Sequence, residues 1–173
     1  MKKVILLSII CGLTHLINAQ TDPVSRVFNK YAGAKGFTTV NIQGDMLKML
    51  AKMDPQDEDL QTISKLEEIK ILTQEDKTTG YEDLNFYDEI YNELDKTLYK
   101  ELLVVRDQDE HVNMLVREDN GIIKEFLLIV TSDDENVLIH IKGEIELSKL
   151  DELTGSINLN NNGKLKVAGN CHQ

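Results

Sequence analysis

Asn120-Gly121-Ile122-Ile123-Lys124-Glu125-Phe126-Leu127-Leu128-Ile129-Val130 contains a turn dipeptide followed by the densest apolar run outside the N-terminus. Asn-Gly takes the positive φ angles of a two-residue type I′ turn at little cost, so the spacing predicts a hairpin. With Asp119 opposite Ile122, simple counting pairs Val116 with Glu125, Met114 with Leu127 and Val112 with Ile129, and leaves Leu115, Phe126 and Leu128 on the other face. Phe126 to Val130 is apolar on both faces, which marks an inner strand covered from both sides.

Outward from this hairpin, Leu102-Leu103-Val104-Val105 precedes it as another strand. Val137, Ile139 and Ile141, alternating with Leu138, His140 and Lys142, follow as a strand read as half-exposed, with His140 on its polar side. Ser132 to Asn136 supplies a polar turn. Connections this short require antiparallel neighbours.

The earlier chain alternates helix and strand signals. Asp22-Pro23 opens a helix with Asp22 as N-cap, and Val24, Val27, Phe28 and Tyr31 recur at helical spacing. Gly36 to Ile42 reads as a strand rich in β-branched residues. Met46, Leu47, Met49, Leu50 and Met53 form a Met-rich helix that ends at Asp54-Pro55. Asp57 to Leu66 predicts a short helix, and Ile69-Lys70-Ile71 a strand. Leu84, Tyr87, Tyr91, Leu94 and Leu98 step by three and four, which predicts the longest helix of the chain over Glu82 to Leu98, lying on the sheet. Leu147, Leu150 and Leu153 predict a last short helix closed by Gly155. The sum is an α+β fold, a mainly antiparallel sheet of about six strands with helices packed on it.

Lys2 and Lys3 precede the apolar run Val4 to Leu13, and Ala19 stands before Gln20 at a cleavage position, which is the pattern of a secretory signal peptide over residues 1–19. The run is too short for a good membrane span, so no stable span is expected once it is removed. Cys11 follows Ser8-Ile9-Ile10 and lacks the small residue a lipid-attachment box places directly before its cysteine. Residues 20–155 then form one domain, with 156–173 a polar, flexible tail. Cys171 is left alone there, as an exposed thiol or half of an intermolecular bridge. The chain carries 30 acidic and 19 basic residues, a net charge of −11, so nucleic acid and anionic lipid are poor partners.

Chemistry is harder to find. Nucleophile-elbow, phosphate-loop and dinucleotide patterns are absent. Outside the signal region the histidines are His111, His140 and His172, with no zinc spacing among them. Asp107 to His111 lacks the glycine and distal glutamate of a calcium loop and reads as an acidic connection. No cofactor, metal site or catalytic residue is assigned. Met46, Met49 and Met53 read either as core filling on one helical stripe or, together with Tyr87 and Tyr91, as a soft groove for an apolar ligand.

Three segments carry a resemblance. Val27-Phe28-Asn29-Lys30-Tyr31-Ala32-Gly33 with Gly36-Phe37-Thr38-Thr39-Val40, then Ile69-Lys70-Ile71-Leu72-Thr73, and then Val137 to Ile145 followed by Leu147 resemble the exported Bacteroidota family catalogued as domain of unknown function 4252. The likeness runs from Val24 to Leu153. It implies a periplasmic or secreted envelope protein, brings no catalytic residues with it, and links to envelope stress or sigma-factor signalling at family level alone. Some relatives carry a lipid-type signal, from which this chain departs. The expectation is a non-enzymatic binding or accessory domain whose partner is an envelope protein or a small ligand. The alternatives are a hydrolase using acidic residues in a cleft beside the sheet, and a carrier of an apolar ligand. Oligomeric state is left open.

Overall fold

The computed structural model describes residues 22–74, 80–146, 157–159 and 165–167. The signal region, the cleavage pair Ala19 and Gln20, the Leu147 to Gly155 helix signal and Cys171 lie outside the described residues. Helix α1 (Pro23–Tyr31) leads to β1 (Phe37–Gln43), α2 (Gly44–Met53), α3 (Glu58–Ile63) and β2 (Leu66–Gln74). A π-helical turn at Tyr87–Tyr91 precedes β3 (Lys100–Arg106), β4 (Glu110–Asp119), β5 (Ile122–Ser132) and β6 (Asn136–Ile145). Six strands form one antiparallel sheet in the order β1-β2-β6-β5-β4-β3. Ile157–Leu159 and Leu165–Val167, β7 and β8, pair with each other as a separate antiparallel ribbon. This is the expected α+β architecture, and β5 sits inside the sheet with Leu127, Leu128, Ile129 and Val130 essentially inaccessible.

The two faces carry separate cores. Leu72, Leu138, Leu127, Ile129 and Leu115 pack beneath α1 and the π turn. Phe126, Leu128, Val130, Val137 and Ile141 belong to the other cluster, which Leu47 of α2 and Ile63 of α3 join. Asp22 caps α1, accepting from the amides of Val24 and Ser25 at 3.3 and 3.4 Å, as its N-cap position requires.

Four expectations need correction. The hairpin turn is as read, with Asn120 at φ 53° and Gly121 at φ 83°, but the pairing slips by one residue after it. Lys124 is a β-bulge, so Arg117 pairs with Glu125, Val116 with Phe126, Met114 with Leu128 and Val112 with Val130. One inserted residue gives each β4 residue from Arg117 back to Glu110 a partner from the opposite face of β5, while Glu118 and Asp119 keep the counted register.

The long helix over Glu82 to Leu98 is the second. Its backbone is captured from outside the helix: the amides of Phe86 and Tyr87 are taken by the side chains of Asn136 and Thr131, both at 3.3 Å. Asn85 caps Asp88 at 3.1 Å, and Asp95 bonds the amide of Thr97 at 3.0 Å in a tight turn. Asn and Asp offer the backbone such local alternatives, and one π turn is what remains. The apolar residues still reach the sheet, with Leu84, Phe86, Ile90, Tyr91 and Leu94 buried.

Third, β6 is an inner strand between β2 and β5, so His140 is buried, at 1% exposure, rather than on the surface. Fourth, α2 turns Leu47 and Ala51 inward, and Met46, Met49 and Met53 outward at 51, 60 and 76% exposure. The methionine stripe is therefore not core filling.

Candidate functional site: a charged cleft at the polar end of the sheet

Rows of directly paired residues cross the sheet beneath α1, and their chemistry changes from row to row. Leu72, Leu138 and Ile129 form one row, and Lys70, His140, Leu127 and Leu115 the next. The third is Gln43, Glu68, Lys142, Glu125 and Arg117 on β1, β2, β6, β5 and β4, neighbour to neighbour. Four charges of alternating sign thus stand side by side on adjacent strands, the arrangement that cross-strand ion pairs favour. Directly after this row the ladder breaks at the Lys124 and Glu67 bulges.

Glu125 stands in this row between Lys142 and Arg117 and is only 7% exposed. Arg117 donates from Nη2 to its Oε1 at 2.6 Å, and the Tyr99 hydroxyl donates to its Oε2 at 2.5 Å. His140 Nε2 lies 3.6 Å from Oε2 and Lys142 Nζ 3.9 Å from Oε1. Among the described residues neither ring nitrogen of His140 has a hydrogen-bond partner. Burial opposes the charge on Glu125, but the adjacent His140 ring and the bonds from Arg117 and Tyr99 outweigh it and hold the carboxyl far below the usual carboxylate range. Burial, and then the bond to Glu125, pushes the Tyr99 phenol well above its ordinary value. The bond to Glu125 likewise raises the Arg117 guanidinium.

Arg117, Glu125 and Lys142 floor a cleft of about 890 Å³. One wall is the start of α1, with Asp22, Pro23 and Arg26; the other is the chain from Glu93 to Tyr99, which contributes Leu94, Asp95 and Leu98. The walls are tied together. Arg26 donates to Glu93 at 2.6 Å and to the Glu89 carbonyl at 3.1 Å, and Lys30 and the Tyr31 hydroxyl both donate to the Glu89 carboxylate.

The groove suggested by the sequence is not assembled in one place. Met46, Met49 and Met53 stand on α2, which packs against the Phe126 face. Tyr87 and Tyr91 lie over the opposite face, stacked on each other with ring centroids 4.6 Å apart. Tyr91 hydrogen-bonds Glu101, and Tyr87 meets His111 edge-on. The Arg117, Glu125, Tyr99 and Lys142 constellation was not found from sequence, although one signal pointed to it. The unbulged register sets the charge of Glu125 against Val116, whereas a shift by one sets it against Arg117.

A family model described as a domain of unknown function, DUF4252, matches residues 31–153, well over half of the chain. No curated protein and no solved structure matches it. Among the described residues no helix is long and apolar enough to cross a membrane.

Proposed function

The chain belongs to the DUF4252 family, and from that premise and the chemistry of the cleft we propose that it is an exported, non-catalytic binding domain whose ligand enters between α1 and the Glu93 to Tyr99 wall. One observation carries the reading: the charged floor of the cleft is fixed on three neighbouring strands, β4, β5 and β6, with its central carboxylate locked by Arg117 and Tyr99. Groups held on strands by their own partners are preorganised for recognition. The same locking disfavours acid–base work, because a general acid at neutral pH needs a carboxyl raised toward the operating pH, and Glu125 is moved the other way. The export half of the proposal rests on Lys2, Lys3 and the Val4 to Leu13 run. Intact-mass measurement of the chain recovered from outside the cytoplasm should find it beginning at Gln20, and a full-length mass would refute export.

Photocrosslinking tests the cleft. Leu98 lines it and is 56% exposed, so Leu98→p-benzoylphenylalanine in the producing cell should trap one reproducible added mass. The same replacement at Met53, on the far face, should trap none. Equal or indiscriminate labelling at both positions would overturn the assignment of the cleft as the binding site.

A further inference from the structure

Hydrogen-bonding capacity in the cleft is unevenly used. Each of its carboxylates is engaged: Asp22 by the first turn of α1, Glu93 by Arg26, Asp95 by the amide and hydroxyl of Thr97, and Glu125 by Tyr99 and Arg117. Two of its cations keep donors in hand. Among the described residues Lys142 makes no side-chain hydrogen bond; its ion pairs with Asp22 and Glu125 are long, at 3.8 and 3.9 Å. Arg117 uses one of its five N–H donors, on Glu125. Both side chains remain accessible, at 39% for Arg117 and 30% for Lys142, and both line the cleft. The surplus is therefore of donors, flanking a fixed negative charge.

Resting on the binding reading above, we infer that the cleft takes a carboxylate joined to an apolar group, the carboxylate received by Arg117 and Lys142 and the apolar part laid along Leu94 and Leu98. A single negative charge suits the place. Glu125 and Asp22 balance the charges of Arg117 and Lys142, so the site offers donors rather than net positive charge, and a monoanion meets less repulsion from those carboxylates than a phosphate dianion. Arg117 offers the planar fork that matches a carboxylate, and Lys142 a point charge beside it. Leu98 extends the site with an exposed apolar side chain on the wall. A fatty acid and the C-terminus of an apolar peptide share this chemistry.

Titration of the isotope-labelled full chain, followed by backbone amide NMR, separates the possibilities. The probes are octanoate and N-acetyl-trileucine, each beside its own amide, together with octyl phosphate. At least one acid should shift the amides of Tyr99, Arg117, Glu125 and Lys142 saturably, and its amide should bind about tenfold more weakly, the usual scale for one charge-assisted contact. Which acid binds identifies a lipid-derived or a peptide ligand. Lys142→Gln, which leaves Arg117 in place, should narrow the difference between acid and amide and leave the spectrum otherwise folded, and an unchanged difference would remove Lys142 from the site. Leu98→Ser should weaken acid and amide alike. Equal binding of acid and amide at the cleft, or tighter binding of octyl phosphate, overturns the carboxylate inference while the binding reading stands. No shift at the cleft with any probe overturns the inference, and if photocrosslinking at Leu98 is also silent, the binding reading falls with it.

Discussion

Two polar side chains, one buried and one half-buried, define what single residues contribute. Asn113 on β4 is fully buried, and among the described residues neither its amide nitrogen nor its oxygen has a partner. Burying an unpaired amide costs about 1–3 kcal/mol. Asn113→Leu, close in volume and without polar atoms, should therefore stabilise the fold by an amount of that order in urea denaturation, and a destabilised variant would show that Asn113 is satisfied in solution. Tyr99 is the opposite case, since its hydroxyl holds a buried carboxylate. Tyr99→Phe keeps the ring and removes the donor, with an expected loss of about 1.5–3 kcal/mol for a bond to a charged group. An unchanged denaturation midpoint would show that the bond contributes nothing net.

At the scale of elements, two contacts determine how strands meet the segments around them. Gly143 on β6 has φ +129°, and a Cβ there would lie 2.5 Å from the Leu66 Cα and 2.6 Å from the Lys65 carbonyl oxygen, against the bulged start of β2. Strain and overpacking together predict that Gly143→Ala costs about 3 kcal/mol or more, measurable by chemical denaturation; a cost below about 1 kcal/mol, within what volume-conserving core changes tolerate, would contradict the close approach. Asn136 joins β6 to the segment over the sheet, donating to Gln74 Oε1 at 2.7 Å and to the Leu84 carbonyl at 2.9 Å while accepting from Phe86. Asn136→Ala should speed hydrogen exchange at Phe86 and through the π turn more than at α2, and uniform exchange would show that Asn136 does not anchor that segment. This contact also explains what sequence could not supply. The three-and-four spacing marked Leu84, Tyr91 and Leu94, which are buried, but not Leu98, which is exposed, and a helix there competes with Asn136 and Thr131, which lie about fifty residues away in sequence and take the amides of Phe86 and Tyr87. Similarly, β4, β5 and their Asn-Gly turn were legible from local pattern, whereas the Lys124 bulge depends on which partner residues β5 meets, and it decided the face on which Arg117 stands.

For the whole molecule, charge balance links the fold to pH. Glu125, Glu68 and Glu89 are each held below the usual glutamate range, against the opposing effect of burial: Glu125 by His140, Arg117 and Tyr99, Glu68 by Lys70 and Gln43, and Glu89 by Lys30 and Tyr31. A depressed folded-state value means that the stabilisation is complete above the unfolded value of about 4.3 and disappears as pH falls below it toward the folded one. The urea midpoint should accordingly drop on acidification from about pH 6 to about pH 3, the interval containing that unfolded value, and the drop should be shallower in Glu125→Gln. A profile identical in the variant would remove Glu125 from the list of causes. The fold class was readable because alternation and turn residues are local. The site was not, because its floor is one lateral row shared by β4, β5 and β6, and Glu125 in that row, with His140 in the row beside it, reads along the chain as an ordinary polar position.

The ionisation of Glu125 is what the fixed floor of the cleft and the donors beside it have in common. Observation of the Glu125 side-chain carboxyl carbon by ¹³C NMR through an acid titration reads it directly. The carboxylate should stay ionised well below about pH 4.3, the ordinary glutamate value, with its titration step at the acid limit of the folded protein. A step at or above that value would mean that Arg117 and Tyr99 do not hold a fixed negative charge at the floor of the cleft.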